Sequence, residues 1–307
     1  MLRMGTFGHN FCSAIVVGLA YTVASWRPLC RSTPFLQRAV VFTFMTQGLR
    51  RIGGCGLGIV LAIILIISLV AWSLSFLDKP SPFRQLSPVP EELPPVGGAE
   101  VPAIDVDGPG RTADKLTWWS DQLADATSIP AQALRAYGNA ELIARQSWPN
   151  CNLRWNTLAG IGWVETRHGT YNGSLFDRSS LDENGYPDPP IVGIPLDGTN
   201  NTTLVPDSDG GAIDGDVEFD RAVGPMQFIA SSWEHLGRDA NGDGVADPNQ
   251  IDDAALGAAA LLCHGDRDLS TPEGWRSAVL NYNQSEDYLG KVVAAANSYA
   301  IEQPAVS

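Results

Sequence analysis

The sequence predicts a mostly α domain over residues 112–303, preceded by one transmembrane helix at 56–77 and a Pro-rich linker at 78–111. Three observations predict this order. Residues 56–77, GLGIVLAIILIISLVAWSLSFL, form a 22-residue run without a charge, which is the length a helix needs to cross a bilayer. Eight prolines fall between Pro80 and Pro109. From about Thr112 onward apolar residues recur at helical spacing among good helix formers.

Charge divides the chain at the same place. Arg3, Arg27, Arg31, Arg38, Arg50 and Arg51 precede the first acidic residue, Asp78, so residues 1–77 carry +6. The remaining 14 basic and 34 acidic residues leave residues 78–307 at −20. Arginines ahead of an apolar span place the N-terminus inside. Residues 1–55 are therefore expected to be a cytoplasmic segment, with translation starting at Met1 or at Met45, and everything after residue 78 is expected outside the plasma membrane. An electrostatic nucleic-acid binder is excluded for the acidic part, because phosphate requires a basic surface. Proline fixes φ and removes a donor, so the linker is expected to be an extended stalk.

Within the exported part, Ser128 is the expected N-cap of a helix with Pro130 in its first turn, and Trp155–Arg167 the next helix, ended by Gly169. Residues 170–222 are rich in Gly, Asp and Pro and lack apolar periodicity, so they read as a long acidic loop. Further helices are expected near 227–236, 252–263, 272–282 and 286–300. Cys151 and Cys263 are the two cysteines beyond the anchor. Outside a membrane such a pair predicts a disulfide, the alternative being two separate buried thiols.

The chemistry centres on WNTLAGIGWVETRHG, residues 155–169. Leu158, Ile161, Gly162 and Glu165 follow the spacing 0, 3, 4, 7 and share one helix face. Apolar neighbours and the negative end of the helix dipole both disfavour an ionised Glu165, which suits a general acid. GPMQF, residues 224–228, can pass close to a ligand, and NYNQSEDY, residues 281–288, places Tyr282, Asn283 and Tyr288 together. Tyrosine rings and an asparagine amide suit sugar hydroxyl and N-acetyl groups. His168 and His264 are read as structural.

Residues 239–253 read DANGDGVADPNQIDD. Asp239, Asn241 and Asp243 occupy positions 1, 3 and 5 of an EF-hand-like loop, Gly244 position 6, and the Val245 carbonyl position 7. Gln250 at position 12 cannot be bidentate, so Asp253 would close an elongated loop around Ca2+. A second acidic cluster at 207–216 offers hard oxygen ligands without a recognised spacing.

ETRHG, GPMQF and NYNxSxxY in this order resemble the lytic murein transglycosylases of the lysozyme superfamily. The likeness is to the membrane-bound B-type group and its actinobacterial relatives, and it covers roughly residues 128–300. It implies an α+β lysozyme-like fold, a peptidoglycan substrate and an elongated EF-hand-like loop. By the same likeness Glu165 is the catalytic acid/base. Met226, Gln227 and Phe228 would line the sugar site, with Tyr282, Asn283 and Tyr288 opposite Glu165. Cleavage of the bond between N-acetylmuramic acid and N-acetylglucosamine would leave a 1,6-anhydro end. Glu218 and Asp220, upstream of GPMQF, keep open a hydrolysing muramidase, in which a second carboxylate activates water. A non-catalytic peptidoglycan-binding scaffold is the reading from another class.

Overall fold

The computed structural model describes residues 86–305 apart from 172, 174–177 and 201. Among these, 42% are helical and 7% in strands, so the described part of the chain is mostly α. The expected span at 56–77, the segment before it and residues 78–85 lie outside the described residues. No described helix is long and apolar enough to cross a membrane.

A short 3-10 helix, Thr112–Leu116, leads into α1, Thr117–Thr127, and α2, Ala131–Ser147. Ser128 does not cap α2. It closes α1 in the left-handed conformation at φ 60°, and Pro130 is the residue that enters α2. The reason is local: a residue before proline is kept out of the helical region, so Ile129 cannot begin the helix.

α3, Trp155–Thr166, is the central helix, with every residue from Trp155 to Gly162 buried. It packs chiefly on α7, Glu286–Ala300, where Gly160 lets the two backbones approach. A Cβ there would stand 2.9 Å from the Val292 carbonyl oxygen. The helix ends one residue early, at Thr166, and Arg167, His168 and Gly169 then all have positive φ.

The acidic stretch 170–222 is not featureless. β1, Ser180–Leu181, pairs antiparallel with β2, Pro187–Asp188; β3, Val192–Pro195, pairs antiparallel with β4, Arg221–Val223. Between them the carboxylates brace their own loop: Asp207 accepts the Gly210 and Gly211 amides, and Asp209 those of Ala212 and Ile213. α4, Ala230–Leu236, α5, Ile251–Leu262, and α6, Pro272–Tyr282, complete the domain. α4 starts later than the expected 227, because Gly224–Phe228 is used in a turn closed by paired hydrogen bonds between Val223 and Phe228.

Cys151, after α2, and Cys263, at the end of α5, form the expected disulfide, with Cα atoms 5.4 Å apart. The stalk expectation is corrected for residues 86–111. This segment lies on the domain: Asn297 Nδ2 donates to the Glu92 carbonyl at 2.9 Å, Asn156 Nδ2 to Val96 at 2.9 Å, and Trp155 Nε1 to Ala99 at 2.8 Å. Val101 is buried, and Arg111 pairs with buried Asp252 at 2.6 Å. Proline-rich backbone keeps its carbonyls free as acceptors, and buried amide side chains of α3 and α7 take them up.

Candidate active site

Glu165 sits in the last turn of α3, half-buried. Tyr288, from the first turn of α7, donates its hydroxyl to Glu165 Oε1 at 2.6 Å. Burial pushes the Glu165 carboxyl up to about 7, and the Tyr288 hydrogen bond pulls it the other way. Burial and the neighbouring Glu165 charge hold the Tyr282 and Tyr288 hydroxyls well above their ordinary pKa, so both stay protonated. A carboxyl that titrates near neutrality beside a neutral phenol can give up a proton and take one back.

Tyr282 stacks on Tyr288, with ring centroids 6.4 Å apart and planes 8° from parallel. Its hydroxyl donates to the Met226 carbonyl at 2.6 Å, which ties the end of α6 to the GPMQF turn. Thr166, next to Glu165, ties the same turn to α3 by donating to the Pro225 carbonyl at 2.6 Å. Glu165, Tyr288, Tyr282 and the 224–228 turn are thus joined into one unit from α3, α6, α7 and a loop by three hydrogen bonds and a ring stack.

Two expected sugar-lining residues are corrected. Met226 is 0% exposed and Phe228 is buried, with its ring against Trp233 at 5.0 Å and Tyr282 at 6.1 Å. They belong to the core because the turn buries its two apolar members and leaves only Gln227 between them half-exposed. Gln227 has φ 52°, and its amide donates to the Gly224 carbonyl at 3.1 Å. Asn283 is exposed at the end of α6, and no hydrogen bond joins it to Glu165 among the described residues. Glu218 is exposed, and buried Asp220 is taken up by Ser208, whose hydroxyl donates to it at 2.8 Å.

Behind Glu165 lies a buried polar group that sequence reasoning did not connect. His168 Nδ1 is 3.2 Å from the Tyr137 hydroxyl and Nε2 is 2.9 Å from the Tyr299 hydroxyl. Burial, then the Arg167 charge, pushes His168 down to about 3, so the imidazole is neutral and structural. Gly162 makes room for this contact, since a Cβ there would lie 2.1 Å from the Tyr137 oxygen. Its place on the Glu165 face was visible in the sequence; its partner was not.

In the EF-hand-like loop, Asp239 accepts the Gly242 and Gly244 amides, Asn241 the Asp243 amide, and Asp243 the Val245 amide. Asp253 accepts from Ala240, Asn241 and Asp247. Burial raises the Asp253 carboxyl to about 6, and the Asp239 charge adds to this. The donors are all oxygen, the type a hard cation takes, and each carboxylate is held here by backbone amides. Among the described residues, the acidic groups whose oxygens gather within 4.8 Å are instead Asp207, Asp209 and Asp220.

Two clefts of about 520 Å3 open elsewhere, one between the 94–100 arm and α2, the other beside the end of α3, and Glu165 lines neither. Neither a protein-family model, nor a curated protein, nor a solved structure matches the chain.

Proposed function

We propose that the chain is a peptidoglycan lytic transglycosylase with a lysozyme-like catalytic domain, held at the outer face of the plasma membrane through residues 56–77. The observation that carries this reading is Glu165, a half-buried carboxyl titrating near 7 and held at 2.6 Å by the Tyr288 hydroxyl. A single such carboxyl suffices for the reaction. Glu165 protonates the oxygen between N-acetylmuramic acid and N-acetylglucosamine, and the bond from C1 to that oxygen breaks. The 2-acetamido group of the substrate stabilises the positive C1. The ionised Glu165 then takes the proton of the muramoyl C6 hydroxyl, whose oxygen attacks C1 and closes the 1,6-anhydro ring. The attack is intramolecular and gains from a high effective concentration. Tyr282, stacked on Tyr288, and half-exposed Gln227 supply polar and aromatic surface for the sugars.

Asp220 is engaged by Ser208, which supports the single-carboxyl route over water activation by a second acid. Asp239, Asn241, Asp243, the Val245 carbonyl and Asp253 are proposed to hold Ca2+, which would neutralise the loop without entering the reaction.

The test is product analysis by mass spectrometry on purified peptidoglycan. Anhydro ends are expected from the wild type, and Glu165→Gln should lose on the order of 10²–10⁴ in rate while keeping its fold. Reducing ends would make the protein a muramidase, and intact glycan with retained binding would make it a scaffold.

A further inference from the structure

We propose that the cleft beside the C-terminal end of α3 is a second binding site, for a short peptide bearing carboxylates, with Arg167 and Arg178 as its anion-holding groups. The cleft has a volume of about 520 Å3, and its walls include Pro130, Trp163, Arg167, His168, Tyr171 and Arg178. The Arg167 guanidinium lies 4.0 Å from the centre of the Trp163 ring and also donates to the Trp163 carbonyl. It is therefore ordered before any ligand arrives, which lowers the entropy lost on binding.

The backbone adds to that order. Arg167 has φ 53° and His168 φ 64°. Two consecutive non-glycine residues in this region persist only where the surroundings over-determine them. Here His168 is clamped from beneath by Tyr137 and Tyr299. The result turns Arg167 back over Trp163 at the mouth of the cleft. His168 itself is neutral, so the positive charge of the cleft comes from the two arginines.

Arg111, Arg135, Arg145, Arg154, Arg221 and Arg276 each pair with a carboxylate, whereas among the described residues Arg167, Arg178, Arg238 and Arg267 do not; of these four only Arg167 and Arg178 line the cleft. Guanidinium groups bind carboxylates through two parallel hydrogen bonds, and the Trp163 and Tyr171 rings offer apolar surface for the chain between them. Trp163 stands two residues before Glu165, roughly 200° around the helix from it, and Arg167 follows the helix end and folds back over Trp163. The site thus occupies a different face of the helix that carries the proposed acid.

The identity of the peptide rests on the function proposed above: the stem peptide of a glycan strand carries several carboxylates and branches from the sugar next to the cleaved bond. Calorimetry on the full chain would use the free tripeptide alanyl-γ-D-glutamyl-diaminopimelate, with its N-acetylated, fully amidated form as the control without carboxylates. The acidic tripeptide is expected to bind, and amidation, Arg167→Gln and Arg178→Gln should each weaken it at least tenfold. Arg178 is exposed, so its replacement leaves the core intact if Arg167→Gln proves unstable. Absent binding, or equal binding by the amidated peptide or by a folded Arg178→Gln variant, would overturn the site. The measurement needs no turnover, so peptide binding by a protein that leaves glycan uncut would reject the glycosidase reading and retain the anion site.

Discussion

Glu165 can act as an acid only while it holds its proton. With its carboxyl at about 7, the protonated fraction is nearly complete at pH 6 and falls tenfold per unit well above 7. Glycan cleavage should therefore decline on the alkaline side from about pH 7. Tyr288 lowers that value by hydrogen-bonding the ionised form. Tyr288→Phe removes the bond and keeps the ring, so the alkaline limb of kcat/KM should move to higher pH. A limb that stays in place would separate Tyr288 from the titration of Glu165. The position of Glu165 was legible because its helix face could be read from Leu158, Ile161 and Gly162. Tyr288 as its partner was not, since 123 residues separate them and only the packing of α7 on α3 brings them together.

Among the elements, those with local signals matched best. α6 begins where Thr271 accepts the Gly274 amide ahead of Pro272, and α7 where Ser285 caps the Tyr288 amide. Such caps involve neighbours in sequence and can be read without a fold. Ser128 misled because Pro130 reads as a residue inside the first turn, whereas it stands at the helix boundary and keeps Ile129 out of the helix. In the acidic loop, Asp239, Asn241 and Asp243 are each turned onto a later amide. Its carboxylates repel one another without a cation. Calcium at a hundredfold excess over Kd should add about 2.7 kcal/mol, which raises Tm by roughly 5–10 °C in a domain of this size. Asp243→Ala should abolish the rise. Identical melting curves of the wild type in calcium and in chelator would reduce the loop to a turn.

For the whole molecule, the arm of residues 86–111 is the largest departure from the sequence reading. Its six prolines describe a chain that cannot form a helix or an inner strand, and this is true of the arm. They say nothing of whether that chain hangs free. Asn156, Asn297 and the Trp155 indole decide it by donating to the Val96, Glu92 and Ala99 carbonyls. Deleting residues 86–110, which keeps the Arg111–Asp252 pair, would strip Asn297 Nδ2 and the Trp155 indole of these partners and leave Asn156 Nδ2 only the Ala296 carbonyl. Each buried donor left unsatisfied costs about 1–3 kcal/mol, so the melting temperature should fall by at least several degrees. An unchanged melting temperature would restore the stalk. The disulfide acts at the same scale: it closes a separation of 112 residues, for which chain entropy gives roughly 4–5 kcal/mol.

What the sequence determined by itself was set by near neighbours and by counting. Helical periodicity placed α3, α5, α6 and α7 within a few residues, and two cysteines past the apolar run left one pairing. Only the tertiary structure decided which side chains meet. It put Met226 and Phe228 in the core and left Gln227 at the surface, although the three are adjacent. It placed His168 between Tyr137 and Tyr299, 31 and 131 residues away, through the space left by Gly162. The physical reason is the same throughout. Local preference sets the conformation of a segment. The partners of its polar atoms are set by close packing with segments far away in the chain, and a buried polar atom must take whatever partner that packing supplies.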